Sequence, residues 1–317
     1  MLQSTQNEQK GRLSPSLSSK IEHAIIKRYR KELWRRFTRA INTYQLVEDG
    51  DRIAVCISGG KDSFLMAKLF QELKRHGKNN FDLTFLVMNP GYTDAVLTSI
   101  LENARVMDVP VRVFDSDIFA VAESAALEKE RAAHADRPGE DAAHRKKRSA
   151  GSNSPCYLCA RMRRGALYAQ AKELGCNKIA LGHHYDDVIE TILMGMLYGG
   201  QVQTMLPKLH STNFPGMELI RPMYLIREAD IKRFRDAFDL TFIRCACRLT
   251  EGVSLPADAD GKGKRAEVKK LIAELAKNDP QIEQNIFKSV ENVHLGALIA
   301  WKEADGTRRR FLDTYDA

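Results

Sequence analysis

A glycine-rich segment of the chain combines residue types that could bind phosphate. It reads Ser58-Gly59-Gly60-Lys61-Asp62-Ser63. Adjacent glycines allow a tight turn whose N–H groups point inward, and a helix that begins there adds its positive end. Lys61 would supply a point charge and the two serines would donate hydroxyl hydrogen bonds, while Asp62 would contact Mg²⁺ or cap the helix. The same residue types suit an ordinary turn, and the spacing is not that of a Walker A loop.

A second polar group follows a short apolar run at 178–181, and it reads Gly182-His183-His184-Tyr185-Asp186-Asp187. Asp186 and Asp187 would complement the dipole of a helix that begins there, which alone could explain them. Carboxylates at the carboxyl end of a parallel strand are also suited to hold the magnesium of a nucleotide complex. His183 could donate to a phosphate, whereas His184 fits a structural role equally well.

Four of the six cysteines form two close pairs, Cys156-x-x-Cys159 and Cys245-x-Cys247. The first pair opens a helical pattern that continues with Arg161, Arg163 and Arg164, and positive charge near a helix start stabilises thiolates. Four thiolates could hold a structural zinc, three could hold a [4Fe-4S] cluster with one open iron, or one could carry a persulfide. Cys56 falls inside the first apolar run and Cys176 at a helix end before a strand, and both positions are typical of core residues.

Short apolar runs alternate with helical patterns around these groups. This alternation predicts an α/β fold, a mostly parallel sheet with helices on both faces, in which ligands gather at the carboxyl ends of the strands. The predicted strands are RIAVCI (52–57) and residues 81–88, 109–114, 178–181 and 218–223. The predicted helices are 20–46, 63–73, 93–107, 161–174, 186–198, 227–238, 264–276 and 281–293.

The pattern also predicts how the chain is divided. Residues 1–18 are polar and Ser-rich, which indicates a disordered tail, and residues 19–50 form a basic N-terminal helix. Residues 51–225 form the catalytic core, with an insertion that leads to the Cys-x-x-Cys pair. Residues 226–317 form a C-terminal helical extension that carries the third cysteine position.

Charge and hydropathy indicate where the protein works and what it contacts. The chain has no run of about 18 apolar residues and no apolar block near its start, so we expect a cytoplasmic protein without membrane contact. The formal net charge is +8, and its basic residues cluster at 27–39, 145–148, 161–164 and 308–310. Such clusters suit a polyanion such as tRNA, although any one of them could be an ordinary solvated face.

Three segments together resemble a known family. SGGKDS matches the SGGxDS signature of the PP-loop ATP pyrophosphatases, and GHHYDD is similar to the GHxxDD element of tRNA-modifying members. From Pro155 to Gly200 the chain looks very like the tRNA 2-thiocytidine biosynthesis proteins, the TtcA family, and the similarity extends from about Lys20 to Val293. The resemblance implies a PP-loop fold of the adenine nucleotide α hydrolase type and ATP bound with Mg²⁺ over Ser58–Ser63, close to Gly182 and His183. Lys61, Asp62, Asp186 and Asp187 would have catalytic roles.

The resemblance also implies an ATP-dependent tRNA-cytidine 2-sulfurtransferase that forms AMP and pyrophosphate. The base would be adenylated, and sulfur would come from a [4Fe-4S] cluster held by Cys156, Cys159 and Cys245. The family typically has Pro-Cys-x-x-Cys at the third position, where this chain reads FIRCACRL, so Cys247 is displaced from the family register. The implied partners are tRNA and a cysteine desulfurase or another sulfur donor. A homodimer of this chain is a further implied assembly.

Three alternatives remain open at this point. The first is formation of 2-thiouridine, and the second is sulfur transfer by a PP-loop enzyme to another RNA or to a small molecule. The third is a zinc-stabilised RNA-binding protein that is not an enzyme. That protein would need no ATP, so the intact SGGKDS segment argues against it.

Overall fold

The computed structural model describes residues 16–118, 155–243 and 263–315, with the backbone alone at 155–160 and at 314. Its α-helices are α1 (Leu17–Ile26), α2 (Arg35–Thr43), α3 (Lys61–His76), α4 (Asp94–Val106), α5 (Pro155–Glu173), α6 (Tyr185–Gly199), α7 (Glu228–Ala237), α8 (Lys264–Asn278) and α9 (Ile282–Ser289). Its strands are β1 (Arg52–Ile57), β2 (Asp82–Asn89), β3 (Val111–Asp115), β4 (Lys178–Ala180), β5 (Lys208–His210), β6 (Glu218–Ile220), β7 (Ala300–Lys302) and β8 (Arg308–Arg310). Within these residues, no helix combines the length and apolar character needed to cross a membrane.

Six strands form one sheet in the order β3-β2-β1-β4-β6-β5. All neighbours pair in parallel except β5, which runs antiparallel to β6 at the edge. The chain builds outward from β1 through β2 and β3, and then returns to place β4 on the other side of β1. The carboxyl ends of β1 and β4 therefore flank the point where the strand order reverses, which is the usual ligand position in such sheets. The predicted α/β class with a mostly parallel sheet is confirmed.

Both faces of β1 are covered. Successive side chains of a strand point to opposite faces, and all five residues from Ile53 to Ile57 are buried. On one face, Ala54 and Cys56 pack in a cluster with Tyr168 and Ala171 of α5. The fully apolar run RIAVCI is therefore a central strand, as its lack of alternation predicts.

The basic N-terminal segment is interrupted where the sequence predicts one helix over 20–46. α1 and α2 are separated by a π-helical turn, Arg30–Trp34, with hydrogen bonds that reach back five residues, such as Tyr29 N–H to the Ala24 carbonyl at 2.8 Å. Apolar residues recur here every fourth position from Ile21 to Ile41, and all six are buried. In a straight α-helix each such step overshoots a full turn by about 40°. The wider π turn compensates for this drift and keeps the stripe facing the core.

The chain divides into two compact units, and the sheet of six strands belongs to the first. The second unit consists of Asp186–Leu206 and the chain from Leu255 onward, of which residues 263–315 are described. It contains most of α6, the helices α8 and α9, and the hairpin of β7 and β8. The hairpin and the edge strand β5 are absent from the sequence prediction, because these short strands are exposed or only partly buried and lack the apolar run that marks β4 and β6.

Candidate active site at the ends of β1 and β4

The glycine-rich segment forms a tight connection between β1 and α3. Gly59 has a φ of +86°, a left-handed conformation that side chains other than glycine rarely adopt. A Cβ atom built on Gly59 would lie 2.8 Å from Ile100 Cγ1, so α4 closes one side of the loop. Gly60 is extended and immediately precedes α3, whose first turn begins at Lys61. The backbone N–H groups at the start of α3 are therefore gathered at the carboxyl end of β1, as phosphate binding requires.

The two serines of the loop fix its shape. The Ser58 backbone N–H donates to Ser63 Oγ at 3.1 Å, and Ser63 Oγ donates to the Gly60 carbonyl at 2.9 Å. The Ser58 and Ser63 hydroxyls lie 3.3 Å apart. Ser63 is buried and holds both ends of the turn, whereas Ser58 remains exposed. Ser63 thus stabilises the turn and the Ser58 hydroxyl is accessible to a ligand, while contact of Ser63 with a nucleotide stays a prediction.

The two glycines should differ sharply in their tolerance of alanine. We expect Gly59→Ala to lower the free energy of unfolding by about 1–3 kcal/mol, because alanine disfavours positive φ and its methyl group would collide with Ile100. Gly60→Ala is the matched control, since Gly60 has no positive φ and its nearest Cβ neighbour is Ser58 Oγ at 3.6 Å. Urea unfolding of both variants measures the difference. Equal losses at the two positions would contradict the conformational argument.

Lys61 lies between two carboxylates. Its Nζ is 3.0 Å from Asp62 Oδ2 and 3.3 Å from Glu228 Oε1, and its side chain is only 18% exposed. Glu228 stands in the first turn of α7 and also pairs with Lys232 at 3.1 Å. The sequence analysis did not identify Glu228, because an acidic residue in the first turn of a helix is commonplace. Its contact with Lys61 arises only from the packing of α7 beside α3.

The two carboxylate oxygens of Asp62 have different surroundings among the described residues. Its Oδ2 atom accepts from Lys61, while its Oδ1 atom is buried and finds no hydrogen-bond donor among the described residues. Burial of a carboxylate oxygen without a hydrogen-bond donor costs free energy, unless a bound ligand or metal ion interacts with that oxygen. This oxygen fits the hard ligand that Mg²⁺ requires, so the loop is chemically suited to a magnesium-bound nucleotide.

Gly182 brings the end of β4 against the same loop. A Cβ atom on Gly182 would lie 3.4 Å from the backbone carbon of Asp62 and 3.4 Å from the nitrogen of Ser63. The structure therefore places two of the predicted nucleotide-binding segments in direct contact. His183 is half-buried beside Gly182, and His184 is buried, in agreement with a structural role for His184.

Asp186 and Asp187 lie at the start of α6, in the second unit. Asp187 Oδ1 pairs with Arg265 Nη1 at 2.8 Å, and Glu190 of the next turn pairs with the same guanidinium at 3.2 Å. Burial raises the pKa of Glu190 to about 7, with a further increase from Asp187 and Asp186 and a partial offset by Arg265 and Lys269. The sequence analysis did not identify Arg265 or Glu190. A role of Asp186 and Asp187 beside the nucleotide stays a prediction.

The helix of the Cys-x-x-Cys pair runs from the carboxyl edge of the sheet to the opposite edge. After α5 ends, the Leu174 carbonyl accepts from Arg52 at the start of β1 at 3.1 Å. At the ninth residue of the helix, Arg163 Nη2 donates to the Tyr92 hydroxyl at 3.2 Å, just beyond β2. The helix has 19 residues and spans about 28 Å. Its first turn therefore lies toward the edge of the sheet where β1 and β4 end.

Cys156 and Cys159 are the second and fifth residues of α5, and their spacing of three places them on one side of the helix. Thiols at a helix start are suited to become thiolates, the ligands that zinc and iron–sulfur clusters need. Cys245 and Cys247 lie outside the described residues. Within the described part of the chain, no group of three or more His, Cys, Asp or Glu residues could hold a metal ion. The three-cysteine ligand set stays a prediction.

The other two cysteines belong to the core, as the sequence predicts. Cys56 of β1 and Cys176 before β4 are both buried in the cluster beneath α5. Burial raises the pKa of the Cys56 thiol to about 12, and it raises the pKa of the Cys176 thiol as well. Neither thiol is suited to act as a nucleophile or metal ligand, because the thiolate is the reactive form.

The basic face of the N-terminal segment is only partly available to a polyanion. Arg35 and Arg39 are exposed, whereas Arg36 donates to Asp230 of α7 at 2.8 Å. Arg36 therefore anchors α2 to the core. Among the arginines after the Cys-x-x-Cys pair, Arg161 and Arg164 are exposed while Arg163 contacts Tyr92. The basic run at 145–148 lies outside the described residues.

The chain is similar to known proteins in sequence and in fold. The sequence profile of the PP-loop domain family matches residues 147–246. A tRNA-cytidine(32) 2-sulfurtransferase of Coxiella burnetii is 32% identical over 276 residues, which is 86% of this chain and 94% of that protein. The protein of the same name from Paraburkholderia xenovorans is 31% identical over 83% of this chain and 68% of its own length.

A solved structure shares the fold at lower identity. It is the U34-tRNA thiolase NcsA from Methanococcus maripaludis with its [4Fe-4S] cluster, with a TM-score of 0.57, 19% identity and coverage of 85% of this chain and 78% of that one. This likeness supports the PP-loop fold alone. The sequence identity to the 2-sulfurtransferases extends over most of both chains, and we conclude that this chain belongs to the PP-loop family of tRNA-cytidine(32) 2-sulfurtransferases.

Proposed function

We propose that this protein catalyses ATP-dependent formation of 2-thiocytidine in the anticodon loop of tRNA. Ser58–Ser63 would bind the ATP that adenylates the base, and Cys156, Cys159 and Cys245 would hold a [4Fe-4S] cluster that supplies the sulfur. The observation that carries the proposal is the contact of Gly182 with the Asp62–Ser63 backbone. This contact brings the SGGKDS and GHHYDD segments together at the carboxyl ends of β1 and β4. The start of α5, which carries the Cys-x-x-Cys pair, lies toward the same edge of the sheet.

The first half of the reaction makes the base reactive. The C2 oxygen of cytidine attacks the α-phosphorus of ATP, the bond to the β-phosphate breaks and pyrophosphate leaves. Negative charge that develops on the phosphates is stabilised by the Lys61 ammonium and by the backbone N–H groups at the start of α3. Asp62 would hold Mg²⁺ through its Oδ1 atom, and Ser58 would donate to a phosphate oxygen.

The second half replaces the activated oxygen with sulfur. Hydrosulfide adds at C2, the C2–O bond breaks and AMP leaves, while the proton from sulfur passes to solvent. When bound, a [4Fe-4S] cluster with three protein ligands offers an open iron position for sulfide. The cysteines would hold that centre at the edge of the sheet where α5 begins, and the exposed Arg161 and Arg164 would favour the thiolate form.

A single assay separates the proposal from its alternatives. Anaerobically prepared protein is incubated with ATP, sulfide and unmodified tRNA, the nucleosides are analysed by mass spectrometry, and the phosphate products are identified. We expect 2-thiocytidine together with AMP and pyrophosphate. Appearance of 2-thiouridine would assign the other thiolation. Cleavage of ATP to ADP and phosphate, or RNA binding without any ATP cleavage, would overturn the proposed chemistry.

A further inference from the structure

The C-terminal hairpin carries a cluster of positive charge that the proposed chemistry does not use. β7 and β8 pair antiparallel, with Lys302 opposite Arg308 and Ala300 opposite Arg310. Directly opposed side chains of an antiparallel pair lie on one face, and residues two apart in a strand share that face. Lys302, Arg308 and Arg310 therefore form what we call the basic face. Arg309 lies on the other face, opposite Trp301.

The charge of the basic face is not neutralised by the described part of the protein. All three residues are exposed, and within the described ranges no carboxylate pairs with any of them. Two acidic residues lie between the strands: Glu303 is 3.9 Å from Arg309 on the opposite face, and Asp305 accepts from the Thr307 backbone N–H at 2.8 Å. Lys302 and Arg308 repel each other across the strands, since like charges in opposed positions are unfavourable. An external anion would relieve this repulsion.

The spacing and the neighbouring rings indicate which anion fits. Arg308 and Arg310 are about 6.8 Å apart along the strand, comparable to successive phosphates of a nucleic-acid strand. The chain then forms a short turn in which Asp313 accepts from the Arg310 backbone N–H at 2.9 Å. Phe311 and Tyr315 meet edge to face with centroids 6.1 Å apart, and they are 43% and 72% exposed. Bases of an unpaired strand stack on exposed rings of this kind.

We propose that the basic face and the Phe311–Tyr315 pair form a binding surface for single-stranded RNA. The arginines would contact successive phosphates and the rings would stack on unpaired bases of a tRNA loop. The inference rests on the proposed tRNA substrate. An acidic protein partner would match the charge, but it would explain neither the two-residue spacing of the arginines nor the exposed rings beside them.

The test compares variants of the two faces of the hairpin. The affinity of the full-length protein for unmodified tRNA is measured over a range of salt concentrations. Arg308→Gln/Arg310→Gln should lower the slope of log affinity against log salt by about 1.4–1.8, since each lost phosphate contact removes about 0.7–0.9. Arg309→Gln is the matched control and should leave the slope unchanged. The charge-preserving Arg308→Lys/Arg310→Lys variant should restore it.

Tyr315→Ala supplies an independent arm. It should weaken binding of tRNA and of a short single-stranded RNA without a change in salt slope, because stacking releases no counterions. Circular dichroism verifies that each variant is folded.

The inference is overturned if wild-type protein binds tRNA and the double glutamine variant keeps the wild-type salt slope. It is also overturned if Arg309→Gln lowers the slope as much as the double variant does. Failure of the wild-type protein to bind any tRNA would instead reject the proposed function. If Arg308→Gln/Arg310→Gln kept its affinity for tRNA but no longer bound a protein sulfur donor, the surface would be assigned to that protein and the inference would be overturned.

Discussion

Replacement of Lys61 by alanine is expected to abolish most of the ATP-dependent thiolation, with a loss of about 10²–10³-fold in kcat. The estimate corresponds to the removal of one positioned group that stabilises developing charge. Lys61 is the cation of the glycine-rich loop that we propose binds phosphate, and its ammonium lies within 3.3 Å of two carboxylates that hold it beside the start of α3. Steady-state assays with saturating tRNA and varied ATP would measure the loss.

A matched control is available on α7. Lys232 pairs with the same Glu228 carboxylate at 3.1 Å but is 45% exposed, so Lys232→Ala removes an equal charge outside the loop. We expect this variant to retain thiolation. Urea unfolding should show that Lys61→Ala is folded, because the substitution removes two ion pairs and no part of the apolar core. Full activity of Lys61→Ala, or equal losses in both variants, would reject the assignment of this loop to phosphate.

The second large effect is expected at the cysteines. Single substitutions Cys156→Ala, Cys159→Ala and Cys245→Ala should each abolish the visible absorption, the bound iron and the thiolation of protein reconstituted anaerobically. The reason is the number of ligands, because a [4Fe-4S] centre that loses one of three protein thiolates is held by only two. Cys247→Ala should retain all three signals, since Cys247 stands outside the register of the family.

Cys176→Ala serves as the control, because Cys176 is buried in the core and its thiol pKa is raised. This variant should keep its iron and its activity. Cys247→Ala is the variant that tests the proposed ligand set most stringently. Residues two apart in an extended strand point to the same side, so Cys247 could approach the metal together with Cys245. Equal loss at all four positions, or zinc in the anaerobically prepared protein, would contradict the open-iron arrangement.

The sequence predicted the sheet well and the site only in part, for physical reasons that differ between elements. RIAVCI is apolar throughout because β1 is covered on both faces, so its central position was readable from local pattern. The turn after β1 was likewise predictable from Gly59 and Gly60, because glycine readily adopts the positive φ that Gly59 has. By contrast, Glu228 reaches Lys61 only because α7 packs beside α3, and no local pattern encodes that distance.

The N-terminal segment shows a different limit of sequence reading. The apolar stripe from Ile21 to Ile41 correctly predicted which side is buried. A period of four nevertheless exceeds the 3.6 residues of an α-helical turn, and that excess was the available sign of the π turn at Arg30–Trp34. Arg36 looks like its exposed neighbours in sequence, and only its contact with Asp230 distinguishes it as an anchor.

The pairing of β1 with β4 has a consequence for how the protein acquires activity as it is made. Ile53 of β1 pairs with Lys178 of β4, so the strand that precedes Gly182 is synthesised long after the glycine-rich loop that follows β1. Non-local pairing of this kind slows folding, because the entropy of closing the intervening chain is lost before the contacts form. A nascent chain that ends before Lys178 contains the whole SGGKDS segment but lacks Gly182 against its backbone. If these segments bind nucleotide as proposed, we expect that competence to appear only after Gly182 has been synthesised and β4 has paired with β1.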